Sequence, residues 1–182
     1  MRSTLIERFD VADDRVKQIV ADTIKDADDG ELYLESSESE ALMFDNGRLK
    51  TANYSTDEGF GLRAVAGEAT GYAHSSELSE ASLLRASDAV SAVKSGYSGT
   101  LADAPPRTNR HLYSDENPIG SPSFEAKAKL LQEIDAHLRA ADPRVRQVSA
   151  SLASSWQHVE ILRADGQSVR DIRPLVRMSV SV

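Results

Sequence analysis

A glycine-rich run of alternating apolar residues, Glu58 to Ser75, constrains the fold of this chain most. It reads EGFGLRAVAGEATGYAHS, and the Gly67-Glu68 pair between its two alternating halves predicts a turn of a β-hairpin. We expect one face of the first strand to be buried and the other to stay accessible, since successive side chains point to opposite faces. The expected buried face carries Phe60, Leu62, Ala64 and Ala66.

Three segments carry apolar residues at helical spacing: Asp13 to Ala27, Glu80 to Val93 and Phe124 to Leu138. Serines stand immediately before the second and third segments, where a hydroxyl can accept a hydrogen bond from the first helical turn. For the first segment, Asp13 or Asp14 is the predicted cap. The sequence therefore predicts about three helices.

Strand patterns fill most of the remainder. Asn46-Gly47 joins Glu40–Phe44 to Arg48–Tyr54 and is a strong signal for a hairpin turn, because both central residues need positive φ. The stretch from Val145 to Val182 alternates as a meander of four short strands. The predicted fold class is α+β, with mostly antiparallel sheet or sheets built from hairpins and a C-terminal meander, packed against about three helices.

We expect residues 1–182 to form one α/β domain, with a flexible loop at Tyr97–Ser123, which is rich in Gly, Pro, Ser and Asp. In the last strand Val176, Met178 and Val180 share a face, and this alternation continues to the final residue. Strands usually close with a turn or a polar tail. We therefore expect the chain to be the leading part of a longer protein.

Composition excludes several function classes. The net charge of -8 argues against direct nucleic-acid binding, which needs clustered Lys and Arg. The absence of cysteine excludes a disulfide framework and a thiolate metal site within the chain. No segment has the apolar length of a signal peptide or a membrane span. We expect a cytoplasmic protein with no membrane partner.

The histidines do not predict a metal site. The chain has four, and no two of them stand one helical turn apart, as two zinc ligands on one helix would. His158 and Glu160 share a strand face, which is as typical of solvated residues as of a site. No serine or threonine stands beside a matching histidine and acid. We therefore expect no catalytic and no metal-ligating residue in this chain.

A set of candidate peptide-binding residues comes from the glycine-rich hairpin and the last strand. Glycines in a strand allow close approach of another backbone or relieve crowding, so they serve packing or line a groove for an extended peptide. Charged residues on a half-exposed sheet are solvated or pair with a substrate or a partner subunit. The candidates are Gly59, Gly61, Arg63, Glu68, Tyr72 and Arg177.

Three blocks of the sequence carry a family resemblance: DNGRLK at Asp45–Lys50, the hairpin at Glu58–Ser75, and DIRPLVRMSVSV at Asp171–Val182. In this order they resemble the N-terminal region of the TldD/PmbA metallopeptidases, also called modulators of DNA gyrase, with the closer likeness to the TldD branch. The resemblance implies an N-terminal α/β domain that helps to enclose the active site and to assemble a dimer.

The resemblance further implies a zinc-dependent peptidase that acts on unfolded peptides, as a homodimer or as a heterodimer with a PmbA-like subunit. The family's zinc ligands lie on a His-Glu-x-x-x-His helix and at a later cysteine, and neither element occurs in this sequence. The catalytic domain is thus expected outside the chain, and the chain alone is expected to be inactive. The alternative is a non-catalytic peptide-binding or oligomerisation module that is complete at this length.

Overall fold

The computed structural model describes residues 4–94, 96–103 and 112–182 of the chain. The helices there are α1 Asp13–Ile24, α2 Glu80–Ser91 and α3 Phe124–Ala141, with short 3₁₀ turns at Ile6–Arg8 and Ala92–Lys94. The strands are β1 Asp29–Asp45, β2 Arg48–Ala66, β3 Ala69–Ser75, β4 Ser149–Arg163 and β5 Ser168–Ser181. They form an antiparallel sheet in the order β3-β2-β1-β4-β5, which confirms the α+β prediction.

The strands are longer and fewer than the sequence predicted. β1 extends far beyond the predicted Glu40–Phe44, and β2 joins Arg48–Tyr54 to the first half of the glycine-rich hairpin without a break. β4 and β5 replace the expected four-stranded meander. The Ser and Glu residues at Ser36–Glu40 of β1 remain extended, because β1 lies between β2 and β4 and pairs with both. Pro174 lies inside β5, where it is tolerated because β5 is an edge strand of the sheet.

All three helices begin at the predicted residues, and the caps were predicted correctly in two cases of three. Ser79 caps α2 by accepting a hydrogen bond from the Ser82 amide at 3.2 Å. Ser123 caps α3 in the same way. The predicted aspartate cap of α1 is wrong, because Ala12 occupies that position and Asp13 lies in the first turn, where its charge favours the helix dipole.

The chain divides into two compact units. The first comprises Met1–Ser36, Asp57–Arg110 and His158–Asp171, and the second comprises Ser37–Thr56, His111–Gln157 and Ile172–Val182. The predicted loop at Tyr97–Ser123 contributes to both, and its described residues form no helix or strand. Residues 104–111 of that loop, with His111, lie outside the described ranges.

In the first unit, α1 and α2 pack beside each other and enclose the buried face of β1 and β2. The predicted buried face of the glycine-rich hairpin is confirmed, since its four apolar residues are all buried. The segment before α1 also belongs to this core, with Leu5 and Ile6 buried and the rings of Phe9 and Phe60 5.8 Å apart.

Glu160 ties this first segment to β4. Its carboxylate has no exposed surface, and it accepts hydrogen bonds from the Leu5 amide at 2.8 Å, the Ser168 hydroxyl at 2.8 Å and Arg170 Nε at 3.1 Å. His158 is buried as well. Of the two interpretations left open for His158 and Glu160, solvation is wrong, since both side chains are buried and Glu160 is bonded to the Leu5 amide.

In the second unit, α3 packs on β1 and β4 through a small apolar core. The core residues are Leu42, Phe44, Leu131, Ala150 and Leu152. Beside them Lys127 is only 2% exposed, and its ammonium donates to Glu40 at 2.5 Å and to the Ile119 carbonyl at 2.7 Å. Pairing of this kind offsets the cost of burying a charge.

None of the helices in the described ranges is long and apolar enough to cross a membrane.

We predict that E160Q destabilises the first unit, because the amide NH₂ of glutamine would face donors where the carboxylate oxygens now accept. A lost buried hydrogen bond of this kind costs roughly 1–3 kcal/mol in free energy of unfolding. Urea denaturation followed by circular dichroism measures it. E133Q, at an exposed α3 position, is the control and should stay within about 0.5 kcal/mol of wild type. Equal stability of the two variants would contradict the role given to Glu160.

Candidate peptide-binding surface

Five of the six predicted site residues lie on or beside the β2–β3 hairpin of the first unit. The pairing register places Arg63 opposite Tyr72 and Gly61 opposite His74. The rings of Tyr72 and His74 stack with centroids 5.7 Å apart, and Tyr72 is 63% exposed. The accessible face of the hairpin is thus an aromatic pair on edge strand β3, beside an arginine on β2.

The two glycines of β2 leave room for parts of the hairpin itself. A Cβ atom at Gly61 would lie 2.8 Å from the hydroxyl and 2.9 Å from Cε2 of Tyr72, so the tyrosine ring rests over this glycine. A Cβ atom at Gly59 would lie 2.7 Å from the backbone oxygen of Ser75. These contacts indicate that both glycines serve packing within the hairpin, and they do not favour the alternative that the glycines line a groove for a peptide.

Arg63 is held by carboxylates of β1. It forms a two-pronged pair with Glu31, with Nε–Oε1 2.6 Å and Nη2–Oε2 2.8 Å, and it donates to Asp29 at 2.9 Å. These hydrogen bonds, chiefly those to Glu31, raise the pKa of the Arg63 guanidinium above its ordinary value. Arg163 donates to the same Asp29 at 3.0 Å. Arg63 therefore shapes the sheet through pairs within the protein, and a peptide carboxylate would have to compete with them.

Glu68 lies in the exposed turn between β2 and β3, four residues along the chain from Tyr72. At about 3.3 Å per residue this separates the two Cα atoms by roughly 13 Å. Register therefore brings Arg63 and Tyr72 together but leaves Glu68 at the far end of the hairpin. A carboxylate outside the hairpin fixes that turn, since Asp28 accepts from the Gly67 amide at 2.8 Å and from the Tyr97 hydroxyl at 2.6 Å.

These two hydrogen bonds, with Tyr97 the stronger cause, hold the pKa of Asp28 below its ordinary value of 3.8. The hydrogen bond between Tyr97 and Asp28 also raises the pKa of the Tyr97 hydroxyl above its ordinary value. The Asp28 carboxylate is thus a fixed negative charge at the turn under neutral conditions.

Arg177, the sixth candidate, is an exposed residue of β5 in the second unit. Sequence reasoning missed His74, which stacks on Tyr72, and the acidic partners of Arg63. A signal for the partners was present, because Asp29 and Glu31 alternate with the buried Leu32 and therefore face away from the core.

The described residues do not fit a zinc ion. No three His, Asp or Glu side chains converge anywhere in the described ranges to a group that could hold a metal. A structural or catalytic zinc needs at least three protein ligands. No step of metal chemistry is therefore assigned to side chains of this part of the chain.

Comparison with known proteins identifies the family. The family model of PmbA/TldA metallopeptidase domain 1 matches residues 30–94. The model of the PmbA/TldA metallopeptidase central domain matches residues 117–182. The chain belongs to the TldD/PmbA family. The family resemblance that the three sequence blocks predicted is thereby confirmed. The two matches follow the family order and leave the segment before residue 30 outside them.

Relatives in this family include two metalloprotease TldD homologues. The one from Haemophilus influenzae is 36% identical over 183 residues, which cover 98% of this chain and 36% of the relative. The one from Buchnera aphidicola subsp. Acyrthosiphon pisum is 36% identical over 156 residues, which cover 85% of this chain and 32% of the relative. The chain thus spans about a third of the length of these TldD homologues.

Two solved structures share the fold. A protein of Bacteroides thetaiotaomicron described as a modulator of DNA gyrase aligns with a TM-score of 0.70 at 13% identity, over 92% of this chain and 40% of its own. TldE from Thermococcus kodakarensis aligns with a TM-score of 0.66 at 14% identity, over 90% of this chain and 38% of its own. The fold of TldD/PmbA proteins therefore persists where little sequence identity remains.

We predict that G59A destabilises the protein more than G61A. The new methyl group at position 59 would meet backbone, which cannot move without distorting the strand pair, and overpacking of this kind costs about 1–3 kcal/mol. At position 61 it would meet the far end of the exposed Tyr72, which can swing away. Chemical denaturation measures both variants. In a Y72A background, G61A should no longer lower the free energy of unfolding, whereas G59A still should. A loss from G61A that Y72A leaves unchanged would contradict the contact of the Tyr72 ring with Gly61.

We predict that Y97F raises the pKa of Asp28 toward 3.8, because the strongest of its hydrogen bonds is removed. A carboxylate with a lowered folded-state pKa stabilises the fold above its unfolded-state pKa, and this contribution is lost as pH falls through the folded value. Y97F should therefore lessen the acid-side loss of stability below about pH 4. A carboxyl ¹³C titration by NMR measures the pKa, with Y54F as the control, and an unchanged Asp28 titration would refute the assignment.

Proposed function

We propose that the protein carrying this chain is a cytoplasmic zinc-dependent peptidase that acts on unfolded peptides, in which this chain supplies the scaffold of the substrate channel and part of the dimer assembly. The observation that carries the proposal is the ordered match of the first and central metallopeptidase domains to residues 30–94 and 117–182. The relatives named metalloprotease TldD homologues support it.

A zinc ion held by residues of the full-length protein other than those described would supply Lewis-acid activation of a water molecule at the scissile carbonyl. The contribution proposed for this chain is to bind and orient the peptide. An extended peptide can add its backbone to an exposed strand and place side chains on an aromatic surface. Tyr72 and His74, stacked and accessible on edge strand β3, offer such a surface.

Of the six candidate residues, Tyr72 is the one that the geometry favours most for peptide contact. Gly61 supports its ring from below, and Gly59 keeps the adjacent strand pair closely spaced. Arg63 positions β1 and β2 through Glu31 and Asp29. Glu68 and Arg177 are exposed charges available to a peptide or to a partner subunit. The partner is proposed to be a second TldD-like copy or a PmbA-like subunit.

The test is cleavage of an unfolded fluorogenic peptide by the full-length protein, alone and mixed with a PmbA-like partner. We expect activity, its loss on chelation, and its recovery when zinc is added back. The 182-residue chain alone should show no turnover. Cleavage that persists in the chelator would refute the metal dependence, and cleavage by the 182-residue chain would refute the assignment of catalysis to sequence outside it.

A Y72A variant of the full-length protein refines the test. We expect KM for the unfolded peptide to rise with kcat little changed, because Tyr72 is proposed to bind substrate and not to react. Y54F, which alters an exposed tyrosine of the second unit, is the matched control.

A further inference from the structure

A crevice of about 200 Å³ lies between the end of edge strand β3 and helix α2, and all of it belongs to the first unit. Its lining residues are Ala73, His74 and Ser75 of β3 and Ser82, Arg85 and Ala86 of α2. The alanines contribute only methyl groups, so every polar side chain of the lining is a histidine, a serine or an arginine. These side chains donate hydrogen bonds, and none of them is acidic.

Arg85 is the cation of this crevice, and a short chain of hydrogen bonds fixes it there. Its Nη2 donates to the Ser82 hydroxyl oxygen at 2.8 Å, and Ser82 is only 3% exposed. The Ser82 hydroxyl in turn donates to Glu77 Oε2 at 3.0 Å. A guanidinium carries five N–H donors in a planar fork, and the bond to Ser82 uses one of them. Arg85 is therefore held in place and still has donors for a planar acceptor.

The acidic side chains at this end of α2 are engaged by other groups. Glu77 accepts from the Ser79 hydroxyl at 2.9 Å, which is the main reason why its pKa lies below the ordinary value of 4.5. Glu77 lies 3.6 Å from Arg85, and the two side chains are 65% and 67% exposed. An exposed pair of that length contributes little. Glu80 pairs with Arg15 at 2.6 Å. Neither carboxylate occupies the fork of Arg85 closely.

We propose that this crevice binds the free α-carboxylate of a peptide that adds to edge strand β3. The fork of Arg85 matches the two oxygens of a carboxylate, and hydrogen bonds between charged groups are stronger than neutral ones. The Ser75 hydroxyl oxygen accepts from the Glu77 amide at 3.0 Å, so its own proton can be donated to the ligand. This inference names the substrate class of the proposed peptide surface and rests on that proposed function.

The position of the crevice sets the direction of the peptide. It lies at the Ser75 end of β3, so a peptide whose carboxylate it holds runs parallel to β3, and the preceding residues pass the exposed ring of Tyr72. β3 has seven residues, which span about 20 Å at 3.3 Å per residue. The substrate class is therefore short peptides with a free carboxyl terminus. Internal segments of long chains present no such group to the crevice.

The test compares one peptide in two forms. The probe is an unfolded heptapeptide of Ala, Val and Thr with fluorescein at its amino end, prepared as the free acid and as the C-terminal amide. Fluorescence anisotropy measures the binding of each form to the 182-residue chain at low ionic strength. We expect the acid to bind roughly fivefold more tightly, because only the acid offers Arg85 a negative charge. Added salt should narrow the difference, since the crevice is open to solvent.

Substitutions in the first unit locate the preference. R85Q should bring the ratio of acid to amide affinity to about one, whereas R85K should keep part of it, since an ammonium retains the charge but not the planar fork. K17Q, which removes an exposed positive charge from α1, is the matched control and should preserve the ratio. Y72A should weaken both forms alike, because the ring does not contact the carboxylate. Circular dichroism verifies folding, and S75A, which should lower the ratio, replaces R85Q if that variant is unfolded.

Equal affinity for the acid and the amide, or a preference that R85Q leaves intact, would overturn the inference and leave the proposed peptidase function standing. Failure of both forms to bind would overturn it together with the peptide surface on β3. Peptide cleavage that persists in a chelator, in contrast, would refute only the metal dependence. The failure of one proposal can thus be told from the failure of the other.

Discussion

The pleat of four long strands decides which side chains this protein can bury. Successive residues on a strand face opposite sides, so Leu32 and Leu34 enter the core of the first unit while Glu31 between them must face the other way. On β2 the same rule sends Leu62 inward and Arg63 outward. The ion pair of Arg63 with Glu31 is a direct result of that alternation, and it fixes the two strands on the side that the helices do not cover.

Local signals made much of this fold predictable. Asn46, Gly47, Gly67 and Gly166 all adopt positive φ at turns. The capping serines Ser79 and Ser123 each accept a hydrogen bond from an amide three residues further along the chain. Strand length was not predictable, because a polar run such as Ser36–Glu40 becomes a strand only when neighbouring strands pair with it. The role of the chain start was missed for a similar reason: Leu5 and Phe9 are recognisable as apolar, but their partners Glu160 and Phe60 are distant in sequence.

The candidate site was predictable in its location but not in its internal connections. Alternation alone placed Arg63 and Tyr72 on the accessible face of one hairpin, and the register confirms that they are neighbours. Whether each of these residues is available to a ligand depends on contacts from residues outside the hairpin. Arg63 is engaged by β1, and the turn that holds Glu68 is fixed by Asp28 and Tyr97. The part of the hairpin that a ligand can reach without displacing an internal contact is therefore the aromatic pair of Tyr72 and His74, and not Arg63.

The hydrogen bond between the Leu5 amide and Glu160 joins residues 155 positions apart. During synthesis, Leu5 leaves the ribosome well before Glu160 and Leu162 of β4, so the core that contains Leu5, Ile6 and Phe9 is incomplete until β4 exists. Closing so long a loop is slow compared with forming local hairpins. Leu162 and Glu160 therefore complete the core of the first unit only after its earlier members, from Leu5 to Val90, have been synthesised.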